Sequence, residues 1–84
     1  MAYQVIIIED DPMVAAIDRQ YVETDTRFQV LHVLKSGAEA LEVLKTCQPD
    51  LIILDYYTPA MDGLEFVDRL HAMGQHPAII MVTS

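Results

Sequence analysis

The chain has 84 residues, enough for one domain, and its 52% hydrophobic and 21% charged residues make a globular composition with no segment biased toward disorder. A formal charge of −8 argues against this segment holding nucleic acid through its own field; it suits a cation or a basic partner, or simply an acidic surface that keeps a small protein dissolved. No apolar run approaches the roughly 20 residues of a membrane span, Met1-Ala2-Tyr3-Gln4 lacks the basic and apolar pattern of a secretory signal, and Cys47 has no second cysteine to pair with. A cytoplasmic protein without a membrane partner is expected.

The first apolar run is Val5-Ile6-Ile7-Ile8, continuous and β-branched, as in a parallel strand covered on both faces. Asp11 before Pro12 supplies an acidic N-cap and a proline at the first helical position. Val14, Ile17 and Tyr21 then recur at helical spacing, which predicts that they face inward. Val30-Leu31-His32-Val33-Leu34 is interrupted by a histidine and reads as an edge strand. Ser36-Gly37-Ala38-Glu39 has capping-box spacing for a second helix that buries Ala40, Leu41 and Leu44 and is stopped by Pro49. Leu51-Ile52-Ile53-Leu54 is a third strand. Asp62-Gly63-Leu64-Glu65 opens a third helix that continues through Phe66, Val67, Leu70 and Met73 to a cap at Gly74. Ala78-Ile79-Ile80-Met81-Val82 is the fourth strand.

Strands alternating with helices imply right-handed crossovers and an α/β doubly wound parallel sheet spanning residues 1–84 as one domain. Open sheets of this kind bind ligands beyond the carboxyl ends of their strands. Glu9, Asp10 and Asp11 follow the first strand there, Asp55 ends the third, and Thr83 and Ser84 follow the fourth. Crowded carboxylates repel, so one must protonate or a cation must neutralise them. A hard divalent ion such as Mg²⁺ fits a site of few carboxylates. Asp55, at the mouth of a buried strand, is placed as a nucleophile should be. Taken singly, these residues have plainer roles: Asp11 and Asp62 cap helices, an Asp after an apolar strand starts a turn, and Thr83 alone carries no signal. His32, His71 and His76 show no ligand spacing and are read as surface or edge residues. Met13, Met61, Met73 and Met81 are read as packing residues.

Jointly, Val5-Ile6-Ile7-Ile8-Glu9-Asp10-Asp11-Pro12, Pro49-Asp50-Leu51-Ile52-Ile53-Leu54-Asp55, Pro59-Ala60-Met61-Asp62-Gly63 and Met81-Val82-Thr83-Ser84 resemble the receiver domain of response regulators, CheY-like and flavodoxin-like in fold. The resemblance implies strand order 2-1-3-4-5. It implies Asp55 as phosphoacceptor, Asp10 as direct Mg²⁺ ligand with Glu9 acting through water, and the backbone carbonyl of Tyr57 as a further ligand. It also implies Thr83 as a switch hydroxyl, and Pro59 and Gly63 as residues that shape the loop after the site. The partner so implied is a sensor histidine kinase, and the output a domain that often binds DNA to regulate transcription. More loosely, Asp10-Asp11-Pro12-Met13-Val14 with Tyr21-Val22 resembles regulators that sense citrate and other dicarboxylates.

Receivers of this family continue through another helix, a fifth strand ending in a lysine, and a last helix, whereas this sequence ends at Ser84. Neither Lys35 nor Lys45 can stand in for that lysine. Phosphoryl binding, switching and the usual dimer surface are therefore expected to be incomplete in this chain, and the output domain to lie outside it. The uncharged fourth strand is expected at a sheet edge, pairing there in a homo-oligomer. Two other functions compete with the phosphorelay. One is a Mg²⁺-dependent phosphatase with an aspartyl nucleophile, which would place a second Asp two residues after the first, where Tyr57 stands. The other is an assembly module that is never phosphorylated. A receiver is not a dedicated enzyme.

Overall fold

The computed structural model of the chain describes residues 2–56 and 61–82. Seven elements alternate along them: β1 (Tyr3–Ile8), α1 (Pro12–Glu23), β2 (Phe28–Leu34), α2 (Gly37–Val43), β3 (Leu51–Asp55), α3 (Gly63–Ala72) and β4 (Ala78–Val82). The strands are parallel and lie in the order β2-β1-β3-β4. The winding reverses between β1 and β3, as the doubly wound, flavodoxin-like arrangement requires.

The continuous apolar run of β1 is explained by helices on both faces of the sheet. Ile6 and Ile8 point into a cluster with Ala40 and Leu44 of the α2 region, Ile52 and Leu54 of β3, and Phe66 and Leu70 of α3. Val5 and Ile7 point the other way, with Val30 of β2 and the half-buried Val22 of α1. Strand alternation thus feeds two cores from one segment. Between Val5 and Ile6 the register against β2 slips by one: Val5 pairs with Val30 and Ile6 with His32, which leaves Leu31 as a bulge residue. At the far edge β4 alternates half-buried Ile79 and Met81 with Ile80 and Val82, which are 53% and 45% exposed.

Each helix starts where its cap residue dictates. Asp11 accepts from the Met13 and Val14 amides at 2.9 and 3.4 Å, Ser36 from the Glu39 amide at 3.2 Å, and Asp62 from the Glu65 amide at 2.9 Å. The inward face of α1 differs from the expected Val14, Ile17, Tyr21 row, whose members are 39%, 57% and 80% exposed. Ala15 is buried instead, with Asp18 and Val22 partly covered. This row lies one residue further along the chain than the expected one.

Helix α2 ends before Pro49. It closes at Val43 with a Leu44 cap, and the Lys45 and Thr46 amides turn back to the carbonyls of Glu42 and Val43. Met73 is the cap residue of α3 and 39% exposed rather than an inward contact. Gly74, with φ 82°, takes the left-handed position after it, where a side chain would be strained.

Candidate functional site

The register Ile8↔Leu54 between β1 and β3 brings the next residues, Glu9 and Asp55, out of the sheet side by side. This is the carboxyl rim at the point where the winding reverses. Glu9, Asp10 and Asp55 each offer a carboxylate oxygen within 4.8 Å of the others, so the three together could hold a metal ion. Glu9 is held through both backbone and side chain: its amide donates to the Leu34 carbonyl at 2.9 Å, and its Oε1 accepts from the Asp11 amide at 3.1 Å. It is 8% exposed, whereas Asp10 is open to solvent and Asp55 half-buried. Asp11 spends its side chain on the α1 cap.

Burial raises the Glu9 carboxyl most strongly. The Asp11 amide pulls it back, and hydrogen bonding and charge from Asp55, then Asp10, push it up again, to about 7. The same crowding reaches α1, where burial and then the charge of Asp55 raise the carboxyl of Asp18. Nothing in the sequence marks Asp18 for the site, since a single Asp on an amphipathic helix ordinarily faces water. Only its place on the inward row reveals it.

Three carboxylates this close, with Glu9 held above its ordinary range by burial and by its two acidic neighbours, form a cluster that a cation would relieve. Its donors are all carboxylate oxygens, the set that hard divalent ions take and softer metals do not require. Gly63 adds a steric element beside the site: a Cβ there would lie 3.2 Å from the Met81 sulfur and methyl and 3.3 Å from the Tyr56 ring. The amide of Gly63 donates to the Tyr56 carbonyl at 3.1 Å and that of Tyr56 to the Val82 carbonyl at 3.0 Å, tying the start of α3 to the ends of β3 and β4. The fold therefore assembles three of the residues singled out in the sequence, Glu9, Asp10 and Asp55. Tyr57, Pro59, Thr83 and Ser84 lie outside the described residues.

Comparison with known proteins agrees with this geometry. The sequence matches the response regulator receiver domain over residues 5–84. It is 40% identical over 83 residues to the probable C4-dicarboxylate response regulator DctR of Priestia megaterium, covering 99% of this chain and 36% of that protein. It is also 40% identical over 84 residues to the transcriptional regulatory protein CitT of Halalkalibacterium halodurans, covering 98% of this chain and 36% of that protein. The chain thus spans little more than a third of the length of these relatives. Among solved structures, the MaeR response regulator bound to beryllium trifluoride superimposes with a TM-score of 0.88 at 30% identity, covering 100% of this chain and 68% of that one. The match over almost the whole sequence, the sheet order and the acidic rim agree: the chain belongs to the response regulator receiver domain family.

Proposed function

We propose that this domain, residues 1–84, receives a phosphoryl group on Asp55 from a sensor histidine kinase in a two-component phosphorelay. The observation that carries the proposal is the meeting of Glu9, Asp10 and Asp55 within 4.8 Å at the β1/β3 switch point. Asp55 is set by the end of a rigid strand, so one of its oxygens is presented in a fixed direction. That oxygen attacks the phosphorus of a phosphohistidine; the new P–O bond forms as the P–N bond breaks, the imidazole of the kinase leaves, and an acyl phosphate remains on Asp55. Mg²⁺, when bound, offsets the charge shared by the carboxylates and the phosphoryl oxygens. Asp10 and Asp55 would hold it directly, with Glu9 acting through water and Tyr57 through its backbone carbonyl. The hydroxyl of Thr83 would donate a hydrogen bond to the phosphoryl group and move toward it.

The domain is not a dedicated enzyme in this reading. The phosphatase alternative lacks its general acid, because Tyr57 stands where a second Asp would act. The relative CitT, named a transcriptional regulatory protein, supports an output that controls transcription; in this reading that output is a DNA-binding domain and the protein acts in the cytoplasm. No helix among the described residues is long and apolar enough to cross a membrane.

Beryllofluoride, which imitates a phosphoryl group on a carboxylate, tests the site by fluorine NMR. The expected result is a bound signal that requires both Mg²⁺ and Asp55 and is lost in Asp55→Asn. A bound signal that survives Asp55→Asn would move the acceptor elsewhere.

A further inference from the structure

His71 and His76 stand on either side of the turn that ends α3, and the chain reversal sets their imidazole rings with centroids 4.7 Å apart and planes tilted by 37°. The turn between them is fixed. The Gly74 amide donates to the His71 carbonyl at 2.9 Å and the Gln75 amide to the Leu70 carbonyl at 3.3 Å, the paired bonds of a Schellman closure. The Gln75 side chain donates to the carbonyls of Leu44 and Cys47 at 2.5 and 3.3 Å, which fastens this segment to the α2–β3 connection. Downstream, the Ala78 amide donates to the Asp50 carbonyl at 3.1 Å. His76 is thus pinned on both sides, and His71 stands on a closed helical turn. Both rings are exposed, at the amino end of β4 and so at the opposite end of the sheet from the acidic rim.

We propose that His71 and His76 form a bidentate imidazole site for a borderline divalent transition metal such as Zn²⁺, Ni²⁺ or Cu²⁺, distinct from the carboxylate cluster. Neutral imidazole nitrogens suit these ions, whereas Mg²⁺ takes oxygen ligands. Two nitrogens bound to one ion at about 2.0–2.1 Å each lie roughly 3 Å apart. Binding requires the two rings, with centroids 4.7 Å apart, to turn about their side-chain torsions until one nitrogen of each takes that spacing. Among the described residues no carboxylate or thiol joins the pair within the 4.8 Å that unites the acidic three, so water completes the coordination. Affinity should follow the order set by the metals themselves, with Cu²⁺ tightest.

The test is a Zn²⁺ titration of the intact protein in excess Mg²⁺, following the imidazole signals of all three histidines by NMR. His32, exposed on the opposite sheet edge, is the internal reference for a lone ring. The expected result is that His71 and His76 respond together, at a Zn²⁺ concentration ~10-fold or more below that which affects His32, because the second ring binds as an intramolecular ligand. Either His71→Gln or His76→Gln should return the remaining ring to the His32 range. A common response of all three histidines at one concentration would overturn the proposal. So would a single variant that leaves the other ring's affinity unchanged.

Discussion

Glu9 should make the metal-free protein less stable as the pH rises through neutrality, and Mg²⁺ should cancel that loss. The carboxyl has a pKa of about 4.5 in the unfolded chain and about 7 in the folded one. Below the lower value it is protonated in both states and costs nothing. Between the two values the folded state keeps a proton that the unfolded state has released, so unfolding becomes easier as pH increases. Above about 7 both states are ionised and the loss is complete. The full interval corresponds to at most roughly 3.5 kcal/mol, and solvent screening at the open rim reduces it to on the order of 1–2 kcal/mol. Asp18, raised in the same direction, adds to the trend. Urea unfolding between about pH 5 and pH 8, with chelator and then with millimolar Mg²⁺, measures this as a change in midpoint at constant slope. The wild type in chelator should lose stability relative to Glu9→Gln over this range. Mg²⁺ should restore it, because the ion binds the ionised carboxylates of the folded state alone. Parallel pH profiles for wild type and Glu9→Gln in chelator would refute the assignment of the strain to Glu9.

Phe66, fully buried between α2 and the sheet, should cost about 3–5 kcal/mol when changed to Ala, a large part of a small domain's stability, read from chemical denaturation. Asp62→Ala removes the cap of α3 and should cost about 1 kcal/mol, with Asp62→Asn or Asp62→Ser close to wild type.

The sheet was legible in the sequence because its central strands are covered on both faces, which forces unbroken runs such as Val5-Ile6-Ile7-Ile8 and Leu51-Ile52-Ile53-Leu54. The helix starts were legible because Asp11, Ser36 and Asp62 each satisfy amides that would otherwise be orphaned. The rotation of α1 was not. Its inward row carries Asp18, so the more apolar row of Val14, Ile17 and Tyr21 looked like the buried face. A carboxylate on the inward row, half-covered and next to an acidic rim that raises its carboxyl, reverses the usual pattern of apolar residues facing in. The end of α2 was misplaced for a related reason: local turn hydrogen bonds close the helix before Pro49 has any effect.

For the site, strand ends of one polarity must share a rim, so the sequence groups Glu9, Asp10, Asp11 and Asp55 there with Thr83 and Ser84, and the structure brings oxygens of Glu9, Asp10 and Asp55 within 4.8 Å of one another. The bulge at Leu31 and the approach of His71 to His76 depend on register and turn geometry, which carry no comparable signature in residue spacing.

The most direct test of the phosphoacceptor role is to map the acyl phosphate itself. The protein is treated with acetyl phosphate and Mg²⁺, the labile aspartyl phosphate is trapped by borohydride reduction, and the peptides are sequenced by mass spectrometry. The phosphorelay role predicts reduction at Asp55 alone, dependent on Mg²⁺ and absent in Asp55→Asn. Trapping at Asp10, Glu9 or any other carboxylate, or equal labelling with Asp55 replaced by Asn, would contradict it.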